Sequence, residues 1–301
     1  MTMKFFWNHT YLLMILTVFA WSGNGIIARG LNDIIPPIGM AFWRFAFAIP
    51  LLLLIAYPHI RGDIGKLRGN WSVLAILANL SIVGYTVLVY QGLLSTTAIN
   101  LFLINTVRPL IIVFLSFLLF RRGITIVQGL GFFLASLGTL VIMFKGNISN
   151  LSSLKFNSGD LWILGATVCW ALYTVLLDKK PKIHSASFLI FIVCLGVLTL
   201  LPMYVWETIY VRPTPFVMET IWAIIYLTIV SSVIAYLFYN RMVEIAGANK
   251  AGLISYLTPI VGSSLAIIIL GEKFEFFHTL GFIMILSGIY FGSKSKEKLQ
   301  S

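Results

Sequence analysis

The chain has 301 residues, 59% of them hydrophobic and only 10% charged, with a formal net charge of +11 and a mean hydropathy of +0.96. A soluble domain of this size has no interior that could hide so much apolar surface, so the composition excludes an ordinary globular enzyme or binding module and predicts a polytopic membrane protein. The basic balance calls for no nucleic acid partner, because most of it sits in short loops between apolar runs, where it lines one membrane face and attracts anionic lipid.

In chain order, apolar runs of about 18 to 24 residues, each able to cross a hydrocarbon core of about 30 Å, fall near 10 to 28, 35 to 57, 72 to 92, 98 to 119 and 125 to 144. Five more follow near 160 to 177, 186 to 206, 219 to 240, 250 to 270 and 277 to 293. Lipid cannot satisfy backbone amides, and the runs are continuous rather than alternating, so each is expected to be a helix and not a barrel strand. The first run follows a single lysine, and "FAWSGNG" is a poor match to a small-residue cleavage site, so it reads as the first helix rather than a removable signal.

Basic residues orient this bundle. Lys4, Arg61, Lys66, Arg68, Arg121, Arg122, Lys179, Lys180, Lys182, Arg241, Lys294, Lys296 and Lys298 fall on one side, against Arg29, Lys145, Lys155, Arg212 and Lys273 on the other. That asymmetry places both termini in the cytoplasm and agrees with an even number of spans.

The chain also repeats itself at an offset of about 150 residues. Trp21 recurs as Trp170, Pro109 in "NTVRPLII" as Pro259 in "SYLTPIVG", Gly131 as Gly281 and Gly138 as Gly288. Residues 1 to 145 form a first five-helix repeat and 159 to 301 a second, joined by a polar linker at 146 to 158. An odd number of helices per repeat inverts one half relative to the other, an arrangement in which a site at the interface can open alternately to the two sides. The fold class is therefore all-α integral membrane, with ten helices in two inverted five-helix repeats.

The aromatic and small residues of the first helix in each half ("AWSGN" and "CWALY"), the proline inside the fourth, and "LGEKFEFFHTLGFIMILSG" near the end together resemble the EamA-type members of the drug/metabolite transporter superfamily over essentially the whole chain. The resemblance implies a ten-helix bundle around a central cavity and substrates that are small metabolites such as amino acids, often exported from the cell. Arg121 and Arg122 stand where the second half has Gly271 and Glu272, a divergence between the halves.

An ionisable residue deep in a span is costly unless paired or wet, which makes it a functional candidate. Arg108 lies about 12 Å along the fourth helix from Asn100, at 1.5 Å per residue, and is the first candidate for meeting a carboxylate or phosphate of the substrate by bidentate pairing. The competing assignment is an arginine locked to helix carbonyls. Asn105, three residues earlier on the same face, adds donor and acceptor capacity. Pro109 bends the helix beside them, and Pro259 does so in the second half. Arg44 is the second buried cation; the resemblance implies that its helix is peripheral, which assigns it a structural or gating role. Lys250 sits at the start of the ninth helix, near a cavity mouth or in solvated interface.

Aromatic residues that share a span with other polar groups are the remaining cavity candidates: Trp21 with Asn24, Tyr85, Tyr90, Trp170 with Tyr173, Tyr236 and Tyr256. Glu272 reads as a structural marker. All ten acidic residues fall at or near span ends, so no midplane carboxylate is available to pair a cation or relay a proton. Cys169 and Cys194 stand apart without CxxC or clustered histidines, and no phosphate loop or hydrolase motif appears, so neither metal, cofactor nor enzymatic chemistry is expected. The expectation is a carrier of a small carboxylate-bearing metabolite in the cell (inner) membrane, as a monomer or homodimer. The alternatives are a carrier of nucleotide-like or phosphorylated compounds, for which Arg108, Arg44 and Lys250 would have to converge, and a non-transporting sensor or subunit.

Overall fold

The computed structural model describes residue 7 and residues 9–147, 157–270 and 273–294; Glu272 and most of the linker lie outside them. The helices are α1 (Thr10–Gly30), α2 (Pro37–Leu67), α3 (Trp71–Leu93), α4 (Ala98–Phe120), α5 (Ile126–Met143), α6 (Ser158–Lys179), α7 (Ser185–Tyr210) and α8 (Met218–Ala246), followed by α9 over 248–270 and α10 (Phe276–Gly292). Each corresponds to one apolar run of the sequence. The ends are set by local chemistry. Thr125 and Gln128 close a capping box on α5, Asn157 and Asp160 do so on α6, and Arg121 in the left-handed region stops α4. The chain is an all-α integral membrane protein. Its outer surface presents large apolar side chains such as Leu54, Phe114, Phe133, Ile209, Trp222 and Ile283, a face that only hydrocarbon or another apolar surface covers favourably.

Besides the break at Phe47 in α2, which divides it into Pro37–Ala46 and Ala48–Asp63, four spans depart from regular helix within their length, in two matched pairs. Asn79–Tyr85 of α3 and Leu227–Ile234 of α8 are wound as π-helix. In α4 the first segment ends at Asn105 and a new one starts at Arg108, with Pro109 in its first turn. In α9 a 3-10 turn, Leu253–Tyr256, precedes the segment that holds Pro259. A π segment shifts the backbone ladder and frees carbonyls, and here two of them are taken by side chains from elsewhere. Tyr236 donates to the Ser81 carbonyl at 3.1 Å and Trp21 Nε1 to the Ser231 carbonyl at 3.1 Å. Ser81 and Ser231 occupy matching positions in the two halves.

The packing pairs follow the same exchange. Helix α1 packs on α8 as α6 packs on α3, α1 meets α9 as α6 meets α4, and α2 pairs with α7 and α5 with α10. The α5/α10 crossing is the tightest because glycines meet there. A Cβ on Gly138 would lie 2.9 Å from the Gly281 carbonyl, and one on Gly288 would lie 2.6 Å from the Gly131 carbonyl. Small residues let backbones approach this closely in lipid, where dispersion between helices replaces the hydrophobic drive. Trp21 and Trp170 meet edge to face at the centre of the bundle, with ring centroids 5.0 Å apart and planes at 87°. Helix α2 is not peripheral at its upper half, because its first segment packs against α3, α7 and the π segment of α8.

Candidate functional site

A cavity of about 60 Å³ opens beside the two tryptophans and is walled by α1, α2, α3, α4, α6, α8 and α9. Both buried arginines line it. Arg108 comes from the start of the second α4 segment, where the break at Thr106 and Val107 turns its side chain inward and points the positive end of a 13-residue helix the same way. It is 5% exposed. Its Nη2 donates to Asn105 Oδ1 at 2.5 Å and to the Tyr85 hydroxyl at 3.2 Å, and its guanidinium lies 5.3 Å from the Tyr85 ring centre and 5.9 Å from that of Trp170. Its buried Nε has no hydrogen-bond partner. Asn105 Oδ1 also accepts from Thr167 at 3.1 Å, so the amide oxygen is used up holding the arginine to α6.

Arg44 enters from α2 and is 2% exposed. Its Nε donates to Ser232 Oγ at 2.8 Å, and its Nη1 to the Tyr90 hydroxyl at 2.5 Å and Asn24 Oδ1 at 3.3 Å. Tyr90 in turn donates to Asn24 at 2.8 Å. Ser232 reaches it because the π turn of α8 lets its hydroxyl bond the Leu227 carbonyl five residues back at 2.8 Å.

Every one of these partners is neutral. Among the described residues the ion pairs are Lys66–Asp63, Arg122–Asp178, Lys180–Glu244 and Arg241–Glu244, all at helix ends. The buried carboxylates are occupied elsewhere. Asp160 accepts from Thr96 and Asn100, and Glu207 caps α2 by accepting from the Ile38 and Gly39 amides at 3.0 and 2.6 Å. Two guanidiniums therefore share a low-dielectric cavity with no carboxylate of the described residues within 4 Å.

The candidates named from sequence divide as follows. Arg108, Asn105, Trp21, Asn24, Tyr85, Trp170, Tyr236 and Arg44 line the cavity. Tyr90 stands directly behind, bonded to Arg44. Tyr173 and Tyr256 point away, to Asn240 at 2.6 Å and Ser136 at 2.9 Å. Lys250 lies in a separate cleft with Thr10, Tyr11 and Ser293. Pro109 and Pro259 each sit in the first turn of a restarted helix. Ser232, which holds Arg44, and Thr167, which holds Asn105, were missed; a hydroxyl in an apolar span ordinarily bonds its own helix, and nothing in the sequence separates these two from such residues. Ser255 and Thr258 of α9 complete the wall, the former with a buried hydroxyl that lacks a partner.

The chain resembles known proteins over nearly its whole length. The EamA-like transporter family pattern fits residues 8–144 and again 157–293. The chain belongs to the EamA-like transporter family. An "Uncharacterized transporter" of Archaeoglobus fulgidus is 31% identical over 288 residues, covering 94% of this chain and 96% of the relative. The "Uncharacterized transporter YyaM" of Bacillus subtilis is 28% identical over 256 residues, 84% of this chain and 83% of the relative. A solved crystal structure superposes with a TM-score of 0.76 over 97% of this chain and 99% of that one at 16% identity, which shows a shared fold. The chain is thus a multi-pass membrane transport protein and not an enzyme.

Proposed function

We propose that the protein is a secondary transporter that moves a small carboxylate-bearing metabolite, an amino acid or related compound, across the cytoplasmic membrane by alternating access between two inverted five-helix repeats. Arg108 is the group that binds the carboxylate, and the observation that carries this is its position: buried at a helix restart, lining the central cavity, with only neutral hydrogen-bond partners among the described residues. Hydrogen bonds to Asn105 and Tyr85 orient the guanidinium without cancelling its charge. An anion entering the cavity gains what those neutral acceptors cannot supply, since uncompensated buried charge costs several kcal/mol.

The aromatic wall of Trp21, Trp170 and Tyr236 suits the rest of such a substrate. An ammonium group is accommodated by ring faces, because no carboxylate lines the cavity among the described residues. The exchange-related packing of the helices and the matched breaks in α4 and α9 support the inverted-repeat reading, and broken helices at the midplane are the usual frame of such sites. The cavity is well below the roughly 300–1,000 Å³ of ordinary ligand pockets, so a bound substrate requires it to widen as one side opens. Export and the cytoplasmic location of the termini rest on the family resemblance and on the lysine and arginine distribution. Convergence of Lys250 with the two arginines, which a nucleotide-sized anion would need, has no support because Lys250 lies in another cleft.

The test is release from proteoliposomes loaded with a mixture of amino acids and small organic acids, read by mass spectrometry for wild type and Arg108→Ala. Selective release of a carboxylate-bearing compound, lost in the variant, is expected. Release that the variant leaves intact would remove Arg108 from the site, and binding without release would make the protein a sensor.

A further inference from the structure

We infer that the cavity is built for a substrate with two anionic groups, Arg108 holding one and Arg44 the other. The inference rests on the carboxylate reading above and narrows it, from any small carboxylate to dicarboxylates and acidic amino acids.

The argument is one of charge. Arg44 was expected to play a structural or gating role, and three hydrogen bonds do hold it in place. All three go to uncharged oxygens, those of Ser232, Tyr90 and Asn24, so its full positive charge faces the cavity that Arg108 also faces. Arg44 Nη2 and Arg108 Nη1 make no hydrogen bond among the described residues, so each guanidinium keeps donors for an incoming oxygen. Two like charges sharing a low-dielectric enclosure repel each other strongly. A monocarboxylate cancels one of them and leaves the other buried and unmatched, whereas a substrate with two carboxylates pairs both guanidiniums, a dicarboxylate leaving no net charge and an acidic amino acid only that of its ammonium, which the ring faces take. The supports of the two arginines are also independent. Asn105, itself bonded by Thr167, and Tyr85 hold Arg108, while Ser232, Tyr90 and Asn24 hold Arg44. The site thereby gains selectivity, because a buried charge left unpaired penalises the wrong substrate.

The experiment compares pairs of compounds that differ by one carboxylate, succinate against butyrate and aspartate against alanine, by isothermal titration of the purified wild-type protein in detergent at fixed chloride. The expected result is tighter binding of the dicarboxylate member of each pair by thirtyfold or more. In Arg44→Lys, which keeps the charge but not the fork, the ratio should fall partway, and in Arg44→Gln it should fall below threefold. Wild-type ratios below threefold would overturn the two-anion proposal while leaving the carboxylate reading intact. Binding of inorganic phosphate in preference to every carboxylate, or of none of these probes, would overturn both. Should Arg44→Gln fail to fold, the wild-type and Arg44→Lys ratios decide the matter, with an Arg44→Lys ratio equal to wild type counting against a forked contact.

Discussion

Replacing Gly288 by alanine tests the close packing of α5 against α10. The added Cβ would lie 2.5 Å from the Ala135 amide nitrogen and 2.6 Å from the Gly131 carbonyl oxygen. Ordinary contacts of this kind begin near 3.4 Å, so α5 and α10 must separate by about 0.9 Å at the crossing, and both obstacles are backbone atoms that no rotamer change removes. Overpacking costs about 1–3 kcal/mol, and a backbone obstacle puts this site at the upper end. Alanine recovers about 1 kcal/mol through better helix propensity, which leaves a net loss of about 2 kcal/mol. The control is Gly129→Ala in the same helix α5, where the nearest atom is Ile124 Cδ1 at 3.7 Å, so only the propensity gain remains. Thermal unfolding of the purified protein in one detergent, followed by tryptophan fluorescence, should show Gly288→Ala melting below wild type and Gly129→Ala at or above it. Melting of Gly288→Ala at the wild-type midpoint, or an equal loss in the control, would refute the close-crossing argument.

Glu207→Ala should lower stability by about 2–5 kcal/mol, because two buried amides of α2 lose a charged acceptor; Glu207→Gln should lose less, and equal shifts in melting temperature would place the effect elsewhere. Asn105→Ala removes the acceptor that orients Arg108, a charge-assisted bond of about 1.5–3 kcal/mol, so substrate affinity measured by titration should fall about tenfold while the melting temperature changes less than in Glu207→Ala. At the lysine-rich end, desolvation lowers the His184 pKa below 6.5, and the His59 ring stacked 3.7 Å away lowers it further. The unfolded chain therefore binds the proton more readily, and this contribution to stability is present above pH 6.5 and lost as pH falls through 6.5 towards the folded value. Melting curves at pH 7.5 and 5.5 should show a smaller acid loss in His184→Asn than in wild type.

Much of the fold was legible before any coordinates. Ten apolar runs map onto ten helical spans because lipid leaves a continuous apolar segment one way to satisfy its backbone. The recurrence of Gly131 and Gly138 as Gly281 and Gly288 marked the repeat, but that the four glycines bring the backbones of α5 and α10 together was seen only in the structure. Pro109 and Pro259 marked the places where α4 and α9 are interrupted, although a bend was expected and the structure has a full restart. The π segments of α3 and α8 left no such trace, because their residues are as apolar and as helix-compatible as those around them.

The sequence by itself determined the membrane class, the helices, the doubled plan and the presence of two arginines in the apolar interior. Only the tertiary structure decided where those arginines go. A helix carries a side chain on every face, and the periodicity of a span that is apolar all round does not say which face meets the bundle axis. Arg44 reaches the cavity because α2 packs inward against α3, α7 and α8, and Tyr256 leaves it because Ser136 of α5 takes its hydroxyl. Lys250 is set apart by the turn at Gly247, whose φ of 79° swings the start of α9 toward the chain ends. Contacts like these join residues more than 100 positions apart, and their energies depend on the packed arrangement as a whole rather than on any local pattern of residues.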